Sequence, residues 1–275
     1  DSAGDVCSGE GVERREVLRL HRSLVEQGLV DFNPDKGRYR LLEPIREFAA
    51  ELLGSDSPWH ERHAASFASL AERLTGDFHS PPRDAQARLR EEDANLLKAA
   101  EWSYRSARLE AGLRIVAASA RHWRVRGGSR WLAPAARLTS HPDAKAYGEL
   151  WALARLRTLS LEFFGDGREF EVIASLRQVA DTLSGSEHQA EAWIELGLRL
   201  AGIGQTDEAM SLLEQGHSEA REREDAALRM HALHGLTAVA ERTGDSQSQR
   251  RYTEEMLWLA RKMDNPFLFA LALRK

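Results

Sequence analysis

Along most of this chain apolar residues recur three and four positions apart, the spacing of one helix face, and glycines break the pattern at near-regular intervals. The clearest stretch reads Trp193, Leu196, Gly197 and Leu200, then Gly204, then Ala209 and Leu213. It predicts a helix, a tight turn at Gly204 and a second helix. Gly197 and Ala209 lack bulk where the two helices must meet, and Trp193, Leu200 and Leu213 fall on the stripe facing that seam. A turn glycine takes positive φ without a Cβ clash. Such a pair cannot cover its own apolar face, so it needs neighbours stacked on both sides.

Neighbours with the same offsets exist. Turn glycines fall at Gly127, Gly167, Gly204 and Gly244, separated by 40, 37 and 40 residues. Around Gly167 the matching positions are Leu156, Leu159, Ser160 and Phe163, then Val172, Leu176 and Val179. Around Gly127 they are Val116, Ala120 and Trp123, then Leu132 and Ala136. Around Gly244 the first helix fits through Leu233, Leu236 and Ala240, but the second fits only with a slip that uses Tyr252, Met256 and Leu259. The alternative is an ordinary helical bundle whose glycines happen to be evenly placed. The full offset match at Gly204 favours the repeat.

Ahead of the repeats the pattern changes. Val12, Val17, Leu20, Leu24 and Val25 make an amphipathic helix over 10–27, closed by Gly28. Two short apolar runs, Leu29 to Phe32 and Tyr39 to Leu42, flank the turn residues Asn33 to Gly37 and predict a β-hairpin. Pro44 opens the next helix, with Ile45, Phe48, Ala49, Leu52 and Leu53 on its apolar face. A helix over 59–74, a loop containing Pro81 and Pro82, and a longer helix over 84–105 follow. Asp143 is placed to cap the helix after His141 and Pro142, and Asn265 with Pro266 restarts a further helix. The expected class is all-α with one small β-hairpin: an α-solenoid of helix pairs over 110–275, a helical spacer over 56–109, and a helix–hairpin–helix segment over 1–55.

Composition agrees and excludes several classes. Ala, Leu, Glu and Arg dominate and Pro is sparse. A net charge of −5 with 29% charged residues is not the basic balance of a nucleic-acid-binding chain. Cys7 stands alone, so no internal disulfide can form, and a cytoplasmic location is expected. No apolar run approaches about 18 residues, so no membrane span is expected. The chain begins at Asp1 rather than Met and stops at Lys275 inside a helical pattern, and it reads as part of something longer.

The segment from Leu20 to Val25, followed by Arg38-Tyr39-Arg40-Leu41-Leu42-Glu43-Pro44-Ile45-Arg46-Glu47-Phe48-Ala49, resembles part of the bacterial STAND regulators. These are signal-transducing ATPases with numerous domains, including the large LuxR-type and antibiotic-regulatory transcription factors. Arg62-His63-Ala64, Glu92 to Leu96 and Ala99 to Trp102 support the resemblance, which runs over about 6–140. It implies that 1–55 is the C-terminal part of a winged-helix domain and that the repeats are tetratricopeptide-like. It also implies an ATPase core. No G-x-x-x-x-G-K-[ST] phosphate loop occurs here, so ATP and its domain are expected upstream, and no cofactor is expected in this fragment. DNA contact is expected only through a domain outside the chain.

The implied function is a non-catalytic sensor or protein-interaction region. A protein or small effector would bind the repeat groove and act on the ATPase domain as an intramolecular partner. One alternative is a structural scaffold for self-association as a homo-oligomer. Another is direct DNA binding by the winged helix, which the helix over 10–27 argues against: its Arg14, Arg15, Arg19 and Arg22 are matched by Glu10, Glu13, Glu16 and Glu26.

Chemistry-bearing residues are few. The pairs His60/His63 and His231/His234 have the spacing of two ligands on one helix face, but no third ligand sits at a recognisable distance, so no metal site is expected. No nucleophile elbow or catalytic set assembles, and the chain is not expected to be an enzyme. Glu91, Glu92 and Asp93 read as a solvated face near the middle of a helix. In the repeat register Arg157, Glu191, Ile194, His231 and His234 face the concave surface, with Phe164 and Glu241 deeper along the same helices. They are candidate groove residues; the plainer reading is that each is simply an exposed position.

Overall fold

The computed structural model describes residues 2–9, 11–35, 37–54, 57–75, 84–125, 129–162 and 167–262. Among them the N-terminal segment contains α1 (Ser2–Cys7), α2 (Arg14–Glu26), β1 (Val30–Asn33), β2 (Arg38–Leu41) and α3 (Glu43–Leu53). Then come α4 (Pro58–Thr75), α5 (Ala85–Glu91), α6 (Asp93–Arg105), α7 (Leu109–Val125) and α8 (Ser129–Thr139). A short 3-10 turn (Ala144–Tyr147) precedes α9 (Gly148–Leu159) and α10 (Glu169–Thr182). The remainder is α11 (Gln189–Gly202), α12 (Thr206–Glu222), α13 (Ala226–Thr243) and α14 (Ser246–Lys262). The class is all-α with one antiparallel hairpin, in which Val30 pairs Leu41 and Asn33 pairs Arg38. None of the described helices is long and apolar enough to cross a membrane.

The helices stack as a repeat. α7 packs on α8, α9 on α10, α11 on α12 and α13 on α14, while α4, α7 and α9 form one continuous inner row that α11 and α13 extend. The seam legible in the sequence is the tightest. A Cβ on Gly197 would stand 2.7 Å from Leu213 Cγ and 3.2 Å from the Ala209 carbonyl oxygen. On the far side of α12, a Cβ on Gly235 would stand 2.7 Å from Leu213 Cδ2. Leu213, fully buried, is therefore a knob held between two glycines of different helices. In the last pair Tyr252, Met256 and Leu259 are buried, the slipped set that the periodicity requires.

The turns repeat as well. Gly204 (φ +85) and Gly244 (φ +75) are left-handed, and the residue after each donates its N–H to a carbonyl five residues back: Gln205 to Leu200 at 3.0 Å, Asp245 to Ala240 at 2.9 Å. Midway between them, Asp225 makes the same bond to Ala220 at 2.9 Å, but the left-handed residue is Glu224 (φ +57). Gly167 (φ +81) lies just before α10, whereas Gly127, Pro81, Pro82, Asn265 and Pro266 lie outside the described residues. A second device shares the spacing. Arg157, Arg199 and Arg242 each donate to a backbone carbonyl 40 residues earlier, on Ala117, Leu159 and Gly202 respectively. Arg199 and Arg242 thereby place positive charge on the carbonyl ends of α9 and α11, where the helix dipole favours it.

Three expectations are corrected. The helix expected over 84–105 breaks at Glu92 (φ −96, ψ 2) into α5 and α6. Glu92 accepts both guanidinium bonds of Arg38, at 2.8 and 3.0 Å, and one from Asn95 Nδ2 at 2.7 Å, so the break is tied to strand β2. The acidic run is accordingly not a solvated face. Asp93 accepts from Trp131 Nε1 at 2.6 Å and Arg130 at 3.1 Å, and only Glu91 is largely exposed. Asp143 does precede the 3-10 turn, but its side chain makes no capping bond. α3, meanwhile, buries none of its residues, and Phe48 and Leu52 remain 61% and 73% exposed.

Candidate binding groove

Along the inner row lies a half-open cavity of about 570 Å³, lined by Glu72 and Thr75 of α4 and by Leu228 of α13 among others. The floor is apolar, made by Ala117 and Ala118 of α7 and by Leu150 and Leu153 of α9. These small and branched residues are the inward positions of helices that pack on both flanks, which is why the helical period leaves them facing the cavity.

Within that wall sits a buried ion pair. Arg157 Nε and Nη2 donate to the two oxygens of Glu191, each at 3.0 Å, and Nη1 donates to the Ala117 carbonyl at 2.5 Å. The side chains are only 6% and 7% exposed. A pair this dry stabilises only if both charges and their remaining donors are met, and here three helices meet them. Around it lie further charges. Arg114 makes a bidentate pair with Glu72, at 2.7 and 2.6 Å. Arg223 bonds Glu219 and the Glu187 carbonyl. His188 is half-buried beside Arg157, and burial followed by that neighbouring charge lowers its pKa below the usual histidine value.

The expected groove residues do not all meet at the cavity. Arg157 and Glu191 line the cavity and pair with each other. Ile194 does not face it: the side chain is fully buried, and a Cβ on Gly216 of α12 would stand 2.5 Å from Ile194 Cγ1. The register was off because α11 is covered on two sides, so more than one of its stripes is interior. His231 lies outside the cavity lining, 3.8 Å from Glu195 and about 29% exposed, with His234 one turn further along α13. Glu241 is exposed in the last turn of α13, and Phe164 lies outside the described residues.

The remaining histidine pair is structural. His60 Nε2 donates to the Gly54 carbonyl at 2.8 Å, while the His63 ring packs on Phe67 with centroids 4.5 Å apart. Burial, reinforced by Lys98, pushes the His63 pKa down to about 4. Among the described residues no three His, Cys, Asp or Glu side chains converge as metal ligands. Sequence reasoning missed the residues of the inter-repeat turns, Glu187, His188, Glu224 and Asp225, because it searched helix faces alone. A signal existed: Glu224 falls 20 residues from both Gly204 and Gly244, at the same place in the same kind of turn.

No family model matches the chain, and no solved structure does. Among curated proteins it is similar to HTH-type transcriptional regulators, so named provisionally, of Mycobacterium bovis and of two strains of Mycobacterium tuberculosis. Each is 29% identical over 134 residues, which covers 46% of this chain and 15% of the relative. The matched part is thus a small fraction of those longer proteins.

Proposed function

We propose that this chain is the effector- or partner-binding region of a transcriptional regulator, with the repeat groove as its binding surface. The regulatory role rests on the distant similarity to HTH-type transcriptional regulators. The narrower assignment, to STAND-type regulators with an ATPase domain elsewhere in the protein, rests on the segment from Arg38 to Ala49. On this reading the chain itself does no chemistry, and DNA contact belongs to another domain. The observation that carries the proposal is the 570 Å³ cavity, whose size falls within the usual range for ligand sites and whose apolar floor is ringed by oriented polar groups.

The test is a thermal-shift screen of the 275-residue chain against metabolites and short peptides, followed by hydrogen exchange on each ligand found. The reading expects a ligand that protects the inner faces of α7, α9 and α11 and whose binding is lost in Leu153→Arg. Ligands that bind only elsewhere, or a screen with none, refute it. A second reading, self-association through an apolar surface, is favoured by the exposed face of α3. Sedimentation of the chain and of Phe48→Glu separates the two: a concentration-dependent dimer lost on substitution supports the scaffold.

A further inference from the structure

We propose that the corner between α5 and α6 is a two-sided latch, through which the hairpin and the first repeat pair, α7 and α8, hold each other in place. It is a conformational device, independent of what the groove binds. Glu92 and Asp93 are consecutive, yet their carboxylates are taken by different parts of the chain. Glu92 accepts from Arg38 of β2, 54 residues earlier, at 2.8 and 3.0 Å. Asp93 accepts from Trp131 Nε1, 38 residues later, at 2.6 Å and from Arg130 at 3.1 Å, both on α8.

Neither carboxylate can move alone. Adjacent Cα atoms are about 3.8 Å apart, and Asn95 Nδ2 ties Glu92 to the first turn of α6 at 2.7 Å. Asp93 is the first residue of that helix. A shift of Glu92 after Arg38 therefore carries the acceptor of Trp131 with it. The Glu92 and Asp93 side chains are 16% and 27% exposed, so both sets of bonds are partly shielded from water, and those made by Arg38 are charge-assisted and bidentate.

The two sides differ in how firmly they are built. Trp131 is 2% exposed, and its ring stacks on Trp123 of α7 with centroids 3.9 Å apart and planes 8° from parallel. Withdrawing Asp93 would strand a buried indole N–H, so the packing of α7 on α8 would have to relax. On the other side stands a two-stranded hairpin, a unit with little stability of its own, followed by α3, which buries none of its residues. The corner thus joins a closely packed end to a sparsely packed one. With both bonds made, the α7–α8 pair sets where the hairpin lies; by linkage, freeing the hairpin loosens the hold on Trp131.

The test is NMR of the 275-residue chain, with the Trp131 indole N–H and the β1 and β2 amides as reporters. Arg38→Met removes the bond on the hairpin side and is expected to shift the indole resonance and speed its hydrogen exchange at least tenfold. Trp131→Phe removes the bond on the repeat side and is expected to speed exchange of the hairpin amides at least tenfold. Glu92→Gln weakens the middle of the latch and should move both reporters, which keeps the test decisive if Trp131→Phe does not fold. Arg177→Met breaks an exposed ion pair with Glu208, between α10 and α12, and should move neither. A hairpin freed by Arg38→Met with the indole unchanged would overturn the latch. So would indifference of both reporters to Glu92→Gln, or the same changes appearing in Arg177→Met.

Discussion

Replacing Gly197 by alanine sets two opposing effects against each other, and the structure decides between them. In a helix open to solvent the change gains about 0.8–1 kcal/mol from propensity. Here the new Cβ would stand 2.7 Å from Leu213 Cγ and 3.2 Å from the Ala209 carbonyl oxygen. Neither neighbour can yield: one is backbone, and the other is a fully buried side chain that Gly235 confines from behind. Forcing a methyl into a filled seam costs about 1–3 kcal/mol and opens α11 from α12. We expect a net loss of up to about 2 kcal/mol, or up to about 8 °C in Tm for a chain of this size. Urea and thermal unfolding followed by far-ultraviolet circular dichroism measure it.

Leu213→Ala alone should cost about 2–5 kcal/mol. In that background the seam has room, so Gly197→Ala should become neutral or stabilising, with a coupling of about 1 kcal/mol or more. A Gly197→Ala variant that gains what propensity alone supplies, or two substitutions that simply add, would refute the close approach of these helices.

Arg157→Leu should destabilise by about 3–5 kcal/mol in urea unfolding, because Glu191 stays buried without its partner, while Arg157→Met with Glu191→Leu should recover most of that loss. Glu224→Gly should raise stability by about 1 kcal/mol in the same assay, by relieving the left-handed backbone. His63 is held neutral with a pKa of about 4 against an ordinary 6.5, so the unfolded chain takes up a proton first as pH falls. Its contribution is fully present above pH 6.5 and is lost progressively toward pH 4, by up to about 3 kcal/mol; the slope of stability against pH over this window should flatten in His63→Gln. Phe48→Glu and Leu52→Glu should each change stability by less than about 0.5 kcal/mol, since neither side chain is buried, and both should reduce binding of a hydrophobic dye.

What the sequence showed was what period and steric size encode. The seam at Gly197, the turns at Gly204 and Gly244, the hairpin and the slipped last helix all follow from spacing, because helix faces and left-handed turns restrict residue type locally. What it concealed depends on partners distant in sequence. Glu92 ends a helix because Arg38, 54 residues away, holds its carboxylate. Ile194 looked like a groove residue because one stripe of α11 was assigned to the interior, whereas Gly216 of α12 receives a second. The groove's charges were half legible: Arg157 and Glu191 could be placed by register, but not recognised as one buried pair. The turn carboxylates escaped because a charged residue between helices ordinarily reads as solvent exposure.

In a solenoid each repeat touches only its neighbours, so overall curvature is the sum of small rotations at successive interfaces. The groove crosses several of them: one wall is Glu72 and Thr75 on α4, the other is Leu228 on α13. On the proposed reading, a ligand that contacts both walls would fix that sum in a way no single repeat can. α4 is also where the N-terminal segment is held. It packs against α1, and Arg62 of α4 donates to the Ser8 carbonyl at 2.8 Å. One helix thus carries groove residues near its C-terminal end and the anchor for α1 near its N-terminal end. A helix of 18 residues moves as a rigid rod, so displacing one end must displace the other. The hairpin has its own tether, through Arg38 to the break at Glu92, and α5 and α6 on either side of that break both pack on α4. Any change of curvature at the groove would therefore reach the hairpin and α1 through the same helix.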